Sequence, residues 1–179
     1  REALTMRGSG NRENIIINGS GEHNIDLTSG WIRDYQIAGI TITDCWNGGI
    51  QRADNTGSRS EVIVSNCVIK NCYNRTALIK VSLYNCLIKD NHAFDSNGGA
   101  ADDCYLYNCI IKNNSARRGG AIIDSDAYNS VFIDNIASIS EDLTISANIE
   151  NSIIVYDNTT PRDPASLIDY NNVNYKFCA

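Results

Sequence analysis

The chain has 179 residues, 42% hydrophobic and 20% charged, with a formal net charge of -6 and a pI near 4.8. That length predicts one soluble unit with a real core, and no apolar run approaches the ~18 residues a transmembrane segment needs. An acidic surface argues against nucleic acid as a partner, because phosphate backbones select basic surface; acidic polysaccharide stays open, since a local basic stripe can act inside an acidic whole.

Asparagine (23) and isoleucine (25) abound while proline appears twice, a balance that favours strands closed by polar turns. The chain opens on Arg1-Glu2-Ala3-Leu4-Thr5-Met6, already alternating as a strand does, so a cleaved leader or an upstream coil is expected before it. Residues 1–37 read as N-terminal entry coils, with Ile15-Ile16-Ile17-Asn18-Gly19 as one strand-and-corner unit.

Residues 38–158 carry the regular repeat. Asn-Cys-(Val/Leu/Ile)-Ile-Lys occurs at Asn66 to Lys70, Asn85 to Lys89 and Asn108 to Lys112, and fades through Asn129-Ser130-Val131-Phe132 to Asn151-Ser152-Ile153-Ile154. Taking the Cys/Ser position as marker (67, 86, 109, 130, 152), the intervals are 19, 23, 21 and 22 residues, which is one turn of a strand-built solenoid. Upstream of the marker, apolar columns are expected to point inward at nine residues (Ala77, Ala100, Ala121, Leu143), seven (Ile79, Asp102, Ile123, Ile145), five (Val81, Cys104, Ser125, Ala147) and three (Leu83, Leu106, Ala127, Ile149). The strand continues beyond a corner at Tyr84-Asn85, Tyr107-Asn108 and Tyr128-Asn129, with Ile69, Ile88, Ile111, Phe132 and Ile154 inward.

The seven cysteines (45, 67, 72, 86, 104, 109, 178) read as small buried side chains, because Ser or Asn replaces them in neighbouring coils. No C-x-x-C spacing supports zinc. Asn91, Asn114 and Asn135 share a column with Cys45 and Cys72, and an inward Asn there can bond the backbone and the next coil's amide. Gly48-Gly49, Gly98-Gly99 and Gly119-Gly120 mark tight corners. Residues 159–179, with Pro161 and Pro164, lose the period and read as an exit or capping segment.

The period, the apolar columns and the corner Asn and Gly resemble the right-handed parallel β-helix of the pectin-lyase-like superfamily, an all-β solenoid of about 21–23 residues per coil. Gly119-Gly120-Ala121-Ile122 and Phe132-Ile133-Asp134-Asn135 resemble the paired G-G-A-I and F-x-x-N repeats of chlamydial polymorphic outer-membrane proteins and related bacterial surface β-helices. The resemblance implies a secreted or cell-surface location and, in the enzymatic members, acidic residues that hold Ca²⁺ or supply acid and base.

Outward positions give the candidate chemistry. Asp103, Asp124 and Asp126 are expected to form one patch with Tyr105 among them and Lys80 aligned nearby, a place for catalysis or Ca²⁺ or simply a solvated acidic face. The polygalacturonase Gly-His-Gly and Arg-x-Lys elements are missing, and His23 and His92 stand outside the patch. Lys70, Lys89 and Lys112 form an outward stripe suited to carboxylated or sulfated glycan, or to solubility alone. Asp102 breaks an otherwise isoleucine column, where a regular register would bury it; the expectation is a bulge at Asp102-Asp103 that turns both carboxylates outward. The reading is a carbohydrate-associated binding or display module, with a polysaccharide lyase or glycoside hydrolase as the alternative.

Overall fold

The computed structural model describes residues 3–12, 15–19, 25–26, 34–52, 62–138, 144–155 and 174–176. Every regular element among them is a β-strand, and the strands stack into four parallel sheets of eight, seven, three and six strands. One coil shows the path: Ser82–Tyr84 lies in the first sheet, Leu87–Lys89 in the second, His92–Ala93 in the third and Ala101–Asp102 in the fourth. The chain then returns to the first sheet at Tyr105–Tyr107, where Ser82, Leu83 and Tyr84 pair with Tyr105, Leu106 and Tyr107. The molecule is a parallel β-solenoid of about five turns.

The entry residues are rungs of the same sheets. Ala3–Arg7 pairs with Asp34–Ala38, Ile16–Asn18 with Thr41–Thr43, and Ile25–Asp26 with Ile50–Gln51. At the other end, Asn174–Lys176 pairs in register with Asn148–Glu150, so the expected exit segment contributes the eighth strand of the first sheet. Pro161, Pro164, Leu143, His23 and Cys178 lie outside the described residues.

The interior holds the expected columns. Cys67, Cys86, Cys109, Ser130 and Ser152 are buried, as are Leu83, Leu106, Ala127 and Ile149, and Ile69, Ile88, Ile111 and Phe132. The column seven residues before the marker does not point inward. Leu78, Ala101 and Ile122 fill the core in its place, and Ile79, Asp102 and Ile123 face outward, half-buried. The cause is a left-handed residue, Lys80, Asp103 or Asp124 (φ 58°, 54° and 46°), which turns the chain between the fourth and first sheets and breaks the two-residue alternation. Asp102 therefore faces outward together with Ile79 and Ile123. No bulge is involved, since Asp102 pairs regularly with Ile79 and Ile123.

Each coil has three such corners. Fifteen described non-glycine residues have positive φ, and thirteen of them are Asn or Asp, whose short polar side chains tolerate that region best; eight of the 23 asparagines stand at these positions. The residue after the corner points inward, and at several corners its N–H finds its acceptor on a side chain of the next coil; Ser125 does not, because Ala147 stands at the equivalent place. Cys109 N–H donates to Ser130 Oγ at 3.1 Å, Ser130 N–H to Ser152 Oγ at 3.0 Å, and Cys104 N–H to Ser125 Oγ at 3.0 Å. The Cys86 and Cys109 sulfurs face the N–H groups of Cys67 and Cys86 in the same way.

At the corner between the second and third sheets, asparagine does this with more bonds. Asn114 Oδ1 accepts the Asn91 N–H at 3.2 Å and its Nδ2–H at 2.9 Å, while Asn114 Nδ2 donates to the Ile88 carbonyl at 3.1 Å and to Asn135 Oδ1 at 2.9 Å. The glycine pairs fit tightly beside this ladder. Gly119 has φ +55°, and a Cβ on Gly120 would overlap the Ile136 backbone, so both positions exclude larger residues for different reasons.

Ser130→Ala should leave the Cys109 N–H buried and unsatisfied, costing about 1–3 kcal/mol in denaturant unfolding, whereas Cys109→Ser, which keeps an acceptor, should cost less than ~1 kcal/mol. The six described cysteines are free and buried, and burial pushes the Cys104 thiol up to about 12. Burial alone should leave Cys67, Cys86 and Cys109 unreactive toward a thiol reagent in the native protein until it unfolds; rapid native labelling of all three would contradict the inward column.

Candidate functional site

The corner between the fourth and first sheets stacks Lys80, Asp103 and Asp124 in one column. Lys80 N–H donates to the Asp102 carbonyl at 3.0 Å, and Asp103 N–H to the Ile123 carbonyl at 3.1 Å, each bond crossing one coil. Asp102 sits beside this column, half-buried, with its carboxyl pushed up to about 6 by burial first and then by Asp124 and Asp103, against the opposing pull of Lys80.

Asp126 is two residues further on, in the first sheet. It lies opposite Tyr105 on the neighbouring strand, and its Oδ1 accepts Asn148 Nδ2–H at 2.7 Å. The acidic residues thus form two groups, a corner row (Asp102, Asp103, Asp124) and a sheet-face position (Asp126) beside Tyr105 and Asn148. Among the described residues, no three His, Cys, Asp or Glu side chains are grouped so as to hold a metal ion.

The same face carries an aromatic row built from the corner tyrosines, Tyr84, Tyr107 and Tyr128. Tyr84, Tyr107 and Tyr128 pair in register, and their rings stack with centroids 4.9 Å and 5.1 Å apart and planes within 9° and 11°. Burial raises the Tyr107 and Tyr128 hydroxyls above their ordinary pKa; Tyr84 adds most to the first and Asp126 to the second. Both phenols are neutral donors at physiological pH. The signal was a Tyr-Asn pair before three successive marker residues, a period that fixes one column on one outward face.

Lys70, Lys89 and Lys112 pair in direct register on the second sheet, so the stripe exists as expected. Its charge is partly met locally: Lys89 Nζ lies 3.1 Å from Asp90 Oδ2, an exposed pair worth ~0–1 kcal/mol, and Asp90 also accepts Asn113 Nδ2–H at 3.2 Å. Beyond Lys112 the column turns apolar with Ile133 and Val155. The stripe and the acidic residues stand on different sheets.

The chain's own N-terminal segment reaches this second sheet. Thr41 Oγ1 donates to the Arg12 carbonyl at 2.8 Å and Arg12 Nη1 to the Asn85 carbonyl at 3.3 Å. Outward-pointing Val68 is 4% exposed, whereas Ile110 and Ile153 in the same column are 43% and 50% exposed.

Comparison of the chain with protein-family models, curated proteins and solved structures finds no match.

Asp102 links this surface to stability. Its folded pKa of about 6 lies above the ordinary 3.8, so the folded state holds the proton more tightly, and stability falls as pH rises through that window, with the full loss present above it. Asp102→Asn should abolish that slope and raise the thermal midpoint at pH 7, by the equivalent of ~1–2 kcal/mol after allowance for partial exposure. Parallel thermal melts of both proteins from pH 4 to 8 check it; identical pH profiles would refute the assignment.

Proposed function

We propose that this chain is a secreted or cell-surface β-helix that binds or displays, with carbohydrate as its ligand, and that the ligand lies along the outer face of the first sheet. The observation that carries the reading is the row formed by Tyr105, Asp126 and Asn148 on successive strands, flanked by the stacked Tyr84, Tyr107 and Tyr128. Phenol, carboxylate and amide offer donors and acceptors for sugar hydroxyls, and the tyrosine edges offer apolar contact beside them. A parallel stack holds these groups on paired backbone, so little ordering remains to be done on binding. Lys70, Lys89 and Lys112 supply a second contact for carboxylated or sulfated glycans. The proposal takes the coil to be right-handed and akin to the pectin-lyase-like and polymorphic outer-membrane β-helices, on the strength of the G-G-A-I and F-x-x-N motifs.

One observation favours an enzymatic reading beside it. Asp102 holds its proton near pH 6 between Asp103 and Asp124, with Lys80 in the same row, a tuning that suits general acid–base work on an acidic glycan. On that reading the chain is a polysaccharide lyase or hydrolase working through Asp103, Asp124 and Asp126, with Ca²⁺ as a possible requirement of lyase chemistry.

A glycan array followed by calorimetry on the hits tests the binding reading. Tyr105→Ala and Asp126→Ala should each weaken binding roughly tenfold, while the triple Lys70/Lys89/Lys112→Ala variant should lower only binding to charged glycans and its salt dependence. An array with no hits overturns the reading. Release of unsaturated uronides from acidic polysaccharide, with and without Ca²⁺ and lost in Asp124→Asn, would establish the enzyme in its place.

A further inference from the structure

A second outward column runs beside the asparagine ladder. Each inward residue of the corner between the second and third sheets is followed by a residue on the surface: Trp46 follows Cys45, Tyr73 follows Cys72, His92 follows Asn91, Ser115 follows Asn114 and Ile136 follows Asn135. The backbone joins them coil to coil, with Tyr73 N–H on the Cys45 carbonyl at 2.8 Å and His92 N–H on the Cys72 carbonyl at 2.8 Å. The first three are aromatic. Tyr73 and His92 stack with centroids 5.6 Å apart, and Phe94 stacks on His92 at 6.0 Å, with planes within 18° and 14°.

These rings are not core. Trp46 is 49% exposed and Phe94 61% exposed, apolar surface left to water, with Phe94 at the end of the Tyr73–His92–Phe94 stack and Trp46 one coil before Tyr73 in the same column. Polar groups border it: Asn74 Nδ2 donates to Asn47 Oδ1 at 3.2 Å beside Trp46 and Tyr73, and His92 Nδ1 lies 2.8 Å from Ser115 Oγ. Beneath it the ladder pins the backbone, since Asn91 Oδ1 accepts the Cys72 N–H at 3.0 Å and Asn114 Oδ1 the Asn91 N–H at 3.2 Å. An exposed aromatic row on a rigid backbone, edged by side-chain amides, is an arrangement for a ligand that has both C–H faces and hydroxyls.

We propose that Trp46, Tyr73, His92 and Phe94 form a second binding site, distinct from the first-sheet face, and that it takes neutral pyranose chains. Equatorially substituted sugars present flat C–H faces to aromatic rings, and their hydroxyls meet the Asn47–Asn74 and His92–Ser115 pairs. A neutral ligand fits a chain of net charge -6 better than an anionic one. The inference rests on the carbohydrate reading but assigns a different site and a different sugar class.

The chain holds two tryptophans, Trp31 and Trp46, so Trp31→Phe makes Trp46 the sole indole reporter. The Trp31→Phe protein is titrated with cellohexaose, mannohexaose, trigalacturonate and a proline-rich decapeptide. Emission from Trp46 should shift with the neutral hexasaccharides and not with trigalacturonate. By calorimetry, Trp46→Ala and Phe94→Ala, both solvent-facing and so folded as wild type by melting temperature, should weaken that binding roughly tenfold or more, and Tyr105→Ala should not. Wild-type affinity in Trp46→Ala and Phe94→Ala, or a response to the peptide in place of the sugars, overturns the proposal. No response of the Trp31→Phe protein to either neutral hexasaccharide, with glycan binding intact at Tyr105 and Asp126, removes this site alone; absence of any glycan binding removes both.

Discussion

At three of the four turns in a coil the backbone passes through a left-handed residue, and the N–H that follows it points inward, away from the carbonyls of its own sheet. An unpaired buried N–H costs on the order of 1–3 kcal/mol, and such a corner recurs three times per coil, so the fold stands on how those amides are satisfied. The solution is reciprocal between coils. The inward side chain of one coil carries the acceptor for the amide of the coil before it, as Ser130 does for Cys109 and Asn114 does for Asn91. Small size alone does not explain why Cys, Ser and Asn interchange at these corners. All three place a short acceptor where the amide needs one; Val81 and Ala147, which follow the corners at Lys80 and Ser146, are the exceptions that carry none.

This constraint divides the labour among columns. The apolar columns Ile69–Ile88–Ile111–Phe132 and Leu83–Leu106–Ala127–Ile149 drive burial, and they tolerate exchange of shape because a stack can absorb a Phe opposite an Ala. The corner columns set register. A slip of one residue would move every acceptor away from its amide and turn the apolar set outward together, so both penalties oppose the same error. The Asn ladder is the strictest of these, since Asn114 uses its amide for four bonds and leaves little that another side chain could reproduce.

Those same rules decide what could be read from the sequence. The marker column, the Asn ladder and the Lys70–Lys89–Lys112 stripe were legible because their chemistry repeats at the coil period. The placement of Ile79, Asp102 and Ile123 was not, because period-two reasoning assumes an unbroken strand, and Lys80 gives no warning of the left-handed turn it makes. Asp103 and Asp124 could have given that warning, being residues that favour such turns, but in a patch of acids they read as chemistry. The column of Trp46, Tyr73 and His92 stayed hidden for another reason. Its members share no identity with Ser115 and Ile136, and only the inward ladder one residue earlier shows that they are equivalent.

A stacked solenoid repeats on its outside whatever the sequence repeats at the coil period, at about 4.8 Å per rung. Like charges placed that way repel, and the structure shows both responses. Asp90 stands next to the Lys89 of the basic stripe, while burial first and then the Asp103–Asp124 row push the Asp102 carboxyl up to about 6. Aromatic rings meet no such penalty, because stacking at this rise brings their faces into contact. Tyrosine can therefore occupy three successive rungs of one face, and Tyr73, His92 and Phe94 can stack on another, where three successive carboxylates would shift one another's ionisation. Long uncharged rows are the surface this scaffold builds with least opposition, and a ligand that engages several rungs at once would have to be long and repetitive too.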